Sequence, residues 1–216
     1  MVIRNRLIAL AYRLIAFAGI LITLIFVFRA PIEAYVPLSY FGVLVALLVL
    51  ALLFFEIVFN AVDLRHGMNG IPAGASMRIA LPIVCFSSEA SLGFLISSFF
   101  RGAPPALEIV FYSGLLVFPA LDWILFDEKG TVPFYVAFTS QIVPIFYGIF
   151  SIFRAIIWPD SPLLGGAMYP YPFLDPHSSW FWPGCIIVFA SFLAFSVLIV
   201  FLNNLLSSKY RKAKIR

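Results

Sequence analysis

Charge is scarce in this chain. Asp, Glu, Lys and Arg make up 11% of its 216 residues, less than half the ~25% usual in soluble domains. There are only two cysteines and two histidines. Cys85 and Cys185 are far apart and form no CxxC, so no zinc or redox motif is supported. His66 and His177 stand alone in separate loops. No GxSxG, HExxH, P-loop or GxGxxG pattern occurs, and the stretch Gly67-Met68-Asn69-Gly70 reads as a loop, not a phosphate cradle. The sequence therefore implies no cofactor and no metal.

What is abundant is apolar surface. Hydrophobic residues make up 63% of the chain and the mean hydropathy is +1.06. A soluble fold of this size would have to build its exterior from core residues. That excludes a soluble enzyme, a disordered chain and a secreted disulfide scaffold. The bilayer is the solvent that fits, and a crossing of its ~30 Å core takes about 20 helical residues. Six stretches qualify, at about 7–28, 37–60, 76–100, 106–126, 132–158 and 180–207. The expected fold is all-α, one domain of six transmembrane helices. The first stretch is too long and too continuously apolar past Ala16-Phe17-Ala18 for a cleaved signal peptide, so it reads as a retained helix.

The net charge is +4, and the excess sits in the tail from Lys209 to Arg216. Placed after an apolar run, it reads as a membrane-surface anchor and topology signal, with no call for nucleic acid. Arg4, Arg6, Arg13, Arg65, Arg78, Lys129 and the five tail residues fall on one side; only Arg29, Arg101 and Arg154 fall on the other. The positive-inside rule then puts both termini in the cytoplasm. A bacterial plasma membrane is the expected location. The long outer loop, 154–179, is rich in Pro and aromatics. It carries Tyr169-Pro170-Tyr171-Pro172-Phe173-Leu174-Asp175-Pro176, and its prolines favour a packed cap over a loose linker.

An ionisable group inside a membrane is costly unless paired or wetted, which makes it a functional hypothesis. Glu89 lies mid-helix among Ser87, Ser88 and Ser91. It is either a proton-carrying or cation-binding carboxylate, or one that holds the bundle together. Asp122 either orients a partner in the core or binds an Arg such as Arg13 or Arg78. Glu56 is expected to snorkel to water. Arg154 is placed to pair with Asp175 or Asp160. No internal repeat is visible, which weakens a transporter reading with Glu89 on a polar path.

The segments Asp122-Trp123-Ile124-Leu125-Phe126-Asp127 and Tyr169 to Pro176 resemble a known family, the six-helix integral membrane proteins related to the androgen-induced type. Leu38-Ser39-Tyr40-Phe41, Arg78-Ile79-Ala80 and Phe153-Arg154-Ala155 resemble further pieces of it, so the likeness runs along the whole chain. The resemblance implies intramembrane hydrolysis of fatty-acid esters of hydroxy fatty acids, with a Thr nucleophile and a His base. In this chain the Thr position is Gly42, and the His position, counted back from Asp122, is Tyr112. A hydroxyl needs a neighbour to take its proton, and tyrosine, with a pKa near ~10, is a poor base.

The resulting expectation is a hydrolase-like protein without the hydrolytic pair, which binds membrane lipid through an acyl chain or serves as a structural partner. The last helix and the outer loop would wall and cap its pocket, with Tyr169, Tyr171, Asp175, Arg154, Glu89 and Asp122 as binding residues. Two alternatives stay open. One is a lipid-ester hydrolase with a rearranged site using Ser39, Ser113 or Tyr112 with Glu89 or Asp122. The other is a small transporter or channel subunit.

Overall fold

A computed structural model describes residues 3–28, 35–68, 72, 77–101, 105–127, 129–159, 163 and 167–214. Arg29, Glu33, Asn69, Gly70, Asp160, Gly165 and Gly166 lie outside the described residues, as do the side chains of Arg78 and of the basic tail. The described chain is helical, with no strand among the described residues: α1 (Arg6–Phe28), α2 (Tyr35–Leu38), α3 (Phe41–Arg65), α4 (Met77–Arg101), α5 (Ala106–Leu125), α6 (Tyr135–Thr139), α7 (Ile142–Ile157), a 3-10 turn (Pro172–Leu174) and α8 (Phe181–Lys214). Six segments are long and apolar enough to cross a membrane, with α6 and α7 together making the fifth. The chain is a polytopic membrane protein. In hydrocarbon every backbone polar group must be satisfied within the chain, and helices are the local way to do it. The outward faces are as apolar as the core: Phe54, Phe55, Phe146, Ile186 and Trp182 are all exposed.

Three features differ from the expected spans, each for a local reason. The second span starts at Phe41, after a break at Ser39 and Tyr40. The Ser39 carbonyl accepts a 2.7 Å hydrogen bond from the Tyr147 hydroxyl. At its other end this helix continues past Asn60 to Arg65. Gly67, with φ 70°, stops it there: the Gly67 and Met68 N–H groups donate back to the Leu64 and Asp63 carbonyls, a Schellman closure. The fifth span is interrupted at Ser140 and Gln141. Pro144 has no N–H for the Ser140 carbonyl, and its ring crowds that carbonyl. The sixth span, Phe181–Ser207, ends where expected, and its helix runs on to Lys214. At the start of α1, the Asn5 side chain caps the helix by accepting from the N–H groups of Leu7 and Ile8 at 3.0 and 3.1 Å.

α4 is the hub, packed against α3, α5 and α8, while α1 lies in the angle between α3 and α5. α6 rests on α8, and the 3-10 turn packs on α8, α4 and α7. The extended segment before α6 is pinned by α8. Asn204 bonds both the N–H and the carbonyl of Val132 at 2.8 Å, and Asn203 donates to the Gly130 carbonyl at 2.7 Å.

The 3-10 turn sits so close to α8 that a Cβ on Gly184 would stand 2.7 Å from the Cβ of Phe173. Gly184→Ala must push the turn away. The expected cost is about 1–3 kcal/mol, read as a lowered melting temperature in detergent. A melting temperature equal to wild type would contradict this seating of the loop between α7 and α8.

Candidate functional site

Three polar or aromatic constellations lie inside the bundle. The first is ionic. Arg13 of α1 has no exposed surface. Its Nε lies 2.8 Å from Asp122 Oδ1 of α5 and 3.2 Å from Glu56 Oε2 of α3, and its Nη2 lies 3.1 Å from Asp122 Oδ2 and 3.6 Å from Asp127 Oδ1. The Asp122 contact is the two-pronged kind that fits guanidinium to carboxylate. Glu56 is 2% exposed. It does not snorkel, because Arg13 offers it a charge inside the bundle. Lys129 approaches from the other side, donating to the carbonyls of Trp123 and Asp127 and lying over the Trp123 ring. Glu56, Asp122 and Asp127 have carboxylate oxygens within 4.8 Å of one another, but the Arg13 guanidinium already occupies the space a cation would take.

The second is aromatic. Residues Phe41, Tyr147, Tyr171 and Phe173 come from α3, α7 and the loop between α7 and α8. Their rings touch: Phe41 with Tyr147 at 5.0 Å, and Tyr171 stacked on Phe173 at 5.3 Å between centroids. They line one end of a small apolar cavity that is open on one side. Pro144 and Gly148 of α7 and Val188, Phe189 and Phe192 of α8 line the rest. The cavity exists because α7 packs mainly on the 3-10 turn and stands off the other helices.

Beside this cavity, Gly42 and Tyr112 are in contact. A Cβ on Gly42 would lie 2.6 Å from the Tyr112 hydroxyl oxygen and 2.7 Å from its ring carbon. Tyr112 is held there by stacking on Phe94 at 4.2 Å, and its carbonyl accepts from the Ser91 hydroxyl. The side chain of Tyr171 neighbours it. Gly42 and Tyr112 thus meet, and the tyrosine fills the space that the missing Cβ leaves.

The third is Glu89. It is fully buried, and its Oε1 accepts from the Ser196 hydroxyl at 2.7 Å and from Gln141 Nε2 at 2.8 Å. Ser140 joins Ser196 at 3.2 Å. Gln141 and Ser140 reach it because the fifth span breaks at them.

The remaining expected residues are dispersed. Ser39 is buried, with its carbonyl bound to Tyr147. Ser113 is exposed on the outer side of α5, away from Tyr112. Arg154 is buried and donates to the Met168 carbonyl at 3.2 Å. Asp175 accepts from the His177 N–H at 2.9 Å, capping the turn before α8. Tyr169 packs against the main apolar cluster. Arg13, Gln141, Ser196, Asn203 and Asn204 were not singled out as site residues. Their one available signal was a polar side chain within a long apolar run.

No family model, curated protein or solved structure matches the chain.

Two outcomes are expected. Arg13→Gln leaves three buried carboxylates without their guanidinium, and should cost about 3–5 kcal/mol or abolish accumulation of folded protein. Gly42→Thr forces a side chain into the Tyr112 ring and should lower the melting temperature, whereas Gly42→Thr with Tyr112→His should recover much of the loss, because contacting residues couple. Strict additivity of the two substitutions would contradict the contact.

Asp127 lies just beyond α5. Burial and the neighbouring Asp122 carboxylate push its carboxyl up to about 7. A raised folded pKa means its contribution is present at acid pH and is lost as the pH rises through that value. Between about pH 4 and about pH 7 the wild type should lose stability relative to Asp127→Asn, as followed by melting temperature in detergent.

Proposed function

We propose that this membrane protein binds the acyl chain of a lipid in the cavity between α3, α4, α7 and α8, and does not cleave it by a Thr–His pair. The observation that carries this reading is the cavity itself. Its lining is almost wholly apolar, and it lies in a bundle whose surroundings are acyl chains. An apolar cleft of this kind is filled by a ligand of the same chemistry, since water finds no partners there. Tyr171 and Phe173 of the outer loop close one end, and α8 forms one wall.

The contact between Gly42 and Tyr112 supports the second half of the reading. The resemblance to intramembrane ester hydrolases assigns nucleophile and base to these two positions. A hydrolytic pair must stand within reach of each other, and these two residues do, with neither a nucleophile nor an effective base between them. The protein is then a lipid-binding or scaffold-like counterpart of such enzymes. The distribution of basic residues supports an orientation with both termini in the cytoplasm.

The test is photo-crosslinking with a diazirine-bearing fatty acid in nanodiscs, mapped by mass spectrometry. Crosslinks are expected at α8 residues such as Val188 and Phe189, and Gly148→Phe, which fills the cavity, should remove most of them. Fluorophosphonate should label no hydroxyl of the native protein. Crosslinking that ignores Gly148→Phe, or stoichiometric fluorophosphonate labelling of Ser39 or Ser113, would overturn the proposal.

A further inference from the structure

Glu89 does not belong to the cavity or to the Arg13 cluster, and its hydrogen bonds are unevenly shared. Oε1 accepts two, from Ser196 and Gln141. Oε2 is buried and has no hydrogen-bond partner. Gln141 is in the complementary position: its Nε2 donates to Glu89, while its own Oε1 is buried without a donor. Two side chains already joined by one hydrogen bond thus each keep one open acceptor. Both residues are more than nine-tenths buried, as are Ser140 and Ser196.

Among the described residues no cation faces this carboxyl. The elements packed around Glu89 offer Ser196 from α8, and Ser140 and Gln141 from the break in the fifth span. The one titratable neighbour is the Cys85 thiol, one turn earlier on α4. Two orphaned acceptors in a dry site are costly. A carboxylic acid and a primary amide can close a ring of two hydrogen bonds, acid O–H to amide carbonyl and amide N–H to acid carbonyl. One half of that ring is already in place.

We propose that Glu89 and Gln141 form a proton-binding site within the membrane: the proton rides on Glu89 Oε2 and is donated to Gln141 Oε1. A proton fits where a hydrated ion does not, because the hydroxyls of Ser140 and Ser196 are already 3.2 Å apart. The site is also built on the only interrupted span among the described residues. Interrupted helices expose backbone and side-chain polar groups at membrane depth, which is where ion-coupling sites are built. Loss of the proton leaves a carboxylate facing the Gln141 carbonyl oxygen, so the α6–α7 break must open toward water. The protonation state of Glu89 thereby governs how the fifth span docks on α4 and α8.

The experiment is an infrared difference spectrum, wild type minus Glu89→Gln, in nanodiscs near neutral pH in H2O and D2O. The expected result is a protonated-carboxyl C=O band that shifts down in D2O and is absent from Glu89→Gln. Replacing choline chloride with sodium chloride should leave it unchanged. Carboxylate bands in place of the acid band overturn the proposal. An acid band that disappears on addition of sodium also overturns it, in favour of a sodium site. Should Glu89→Gln fail to fold, dicyclohexylcarbodiimide, which adds to protonated carboxyls in apolar surroundings, is applied to the wild type. An adduct on Glu89 supports the site, and adducts confined to other acids count against it.

Discussion

The guanidinium of Arg13 has no exposed surface, and three carboxylates from two other helices and the turn after α5 converge on it. Removing such a group from water costs several kcal/mol, and only close, well-aligned partners offset that cost. Its position therefore constrains α1, α3 and α5 together. Glu56 and Gly42 stand about four turns apart on α3, so the face of α3 that meets Arg13 is also the face that meets Tyr112. The ionic contact near one end of the bundle and the Gly42–Tyr112 contact nearer the other share one helix rotation.

A second constraint acts on the opposite half. Pro144 denies the Ser140 carbonyl its helical donor, and the fifth span breaks there. The break turns Ser140 and Gln141 toward Glu89. Beyond it α7 stands off its neighbours, and the space this leaves is the cavity that Pro144 and Gly148 help to line. One proline thus bears on both the polar site and the apolar one. The loop between α7 and α8 closes the cavity end, held by the close seating of Phe173 on Gly184 and by the 3.4 Å contact of the Cys185 thiol with the Phe173 carbonyl.

Much of the architecture was legible in the residues. The six apolar runs are the six spans; the second is shifted toward Arg65, where Gly67 stops it, and Pro144 interrupts the fifth without moving its ends. Asp122 was read as open to pairing with Arg13, and it is paired. Glu56 was misread as snorkelling, because nothing in its local sequence announces a buried arginine on another helix. Gln141 and Ser196 escaped notice for the same reason: each is one ordinary polar residue in an apolar run. The adjacency of Gly42 and Tyr112 is a contact across α3 and α5 that neither helix encodes alone.

Hydropathy is a property of a run of residues in a solvent, so the sequence by itself determined the class of the protein, the number of its spans and the regions between them. Which side chains meet depended on helix rotation and approach, and only the tertiary structure decided those. In a bilayer the outward face of a helix is as apolar as the inward one. On α3, buried Val45, Val49 and Leu53 alternate with exposed Leu47, Leu48 and Phe54, and no amphipathic stripe says which way the helix turns. The rotation is set by a few polar contacts between distant parts of the chain, and those contacts build the sites.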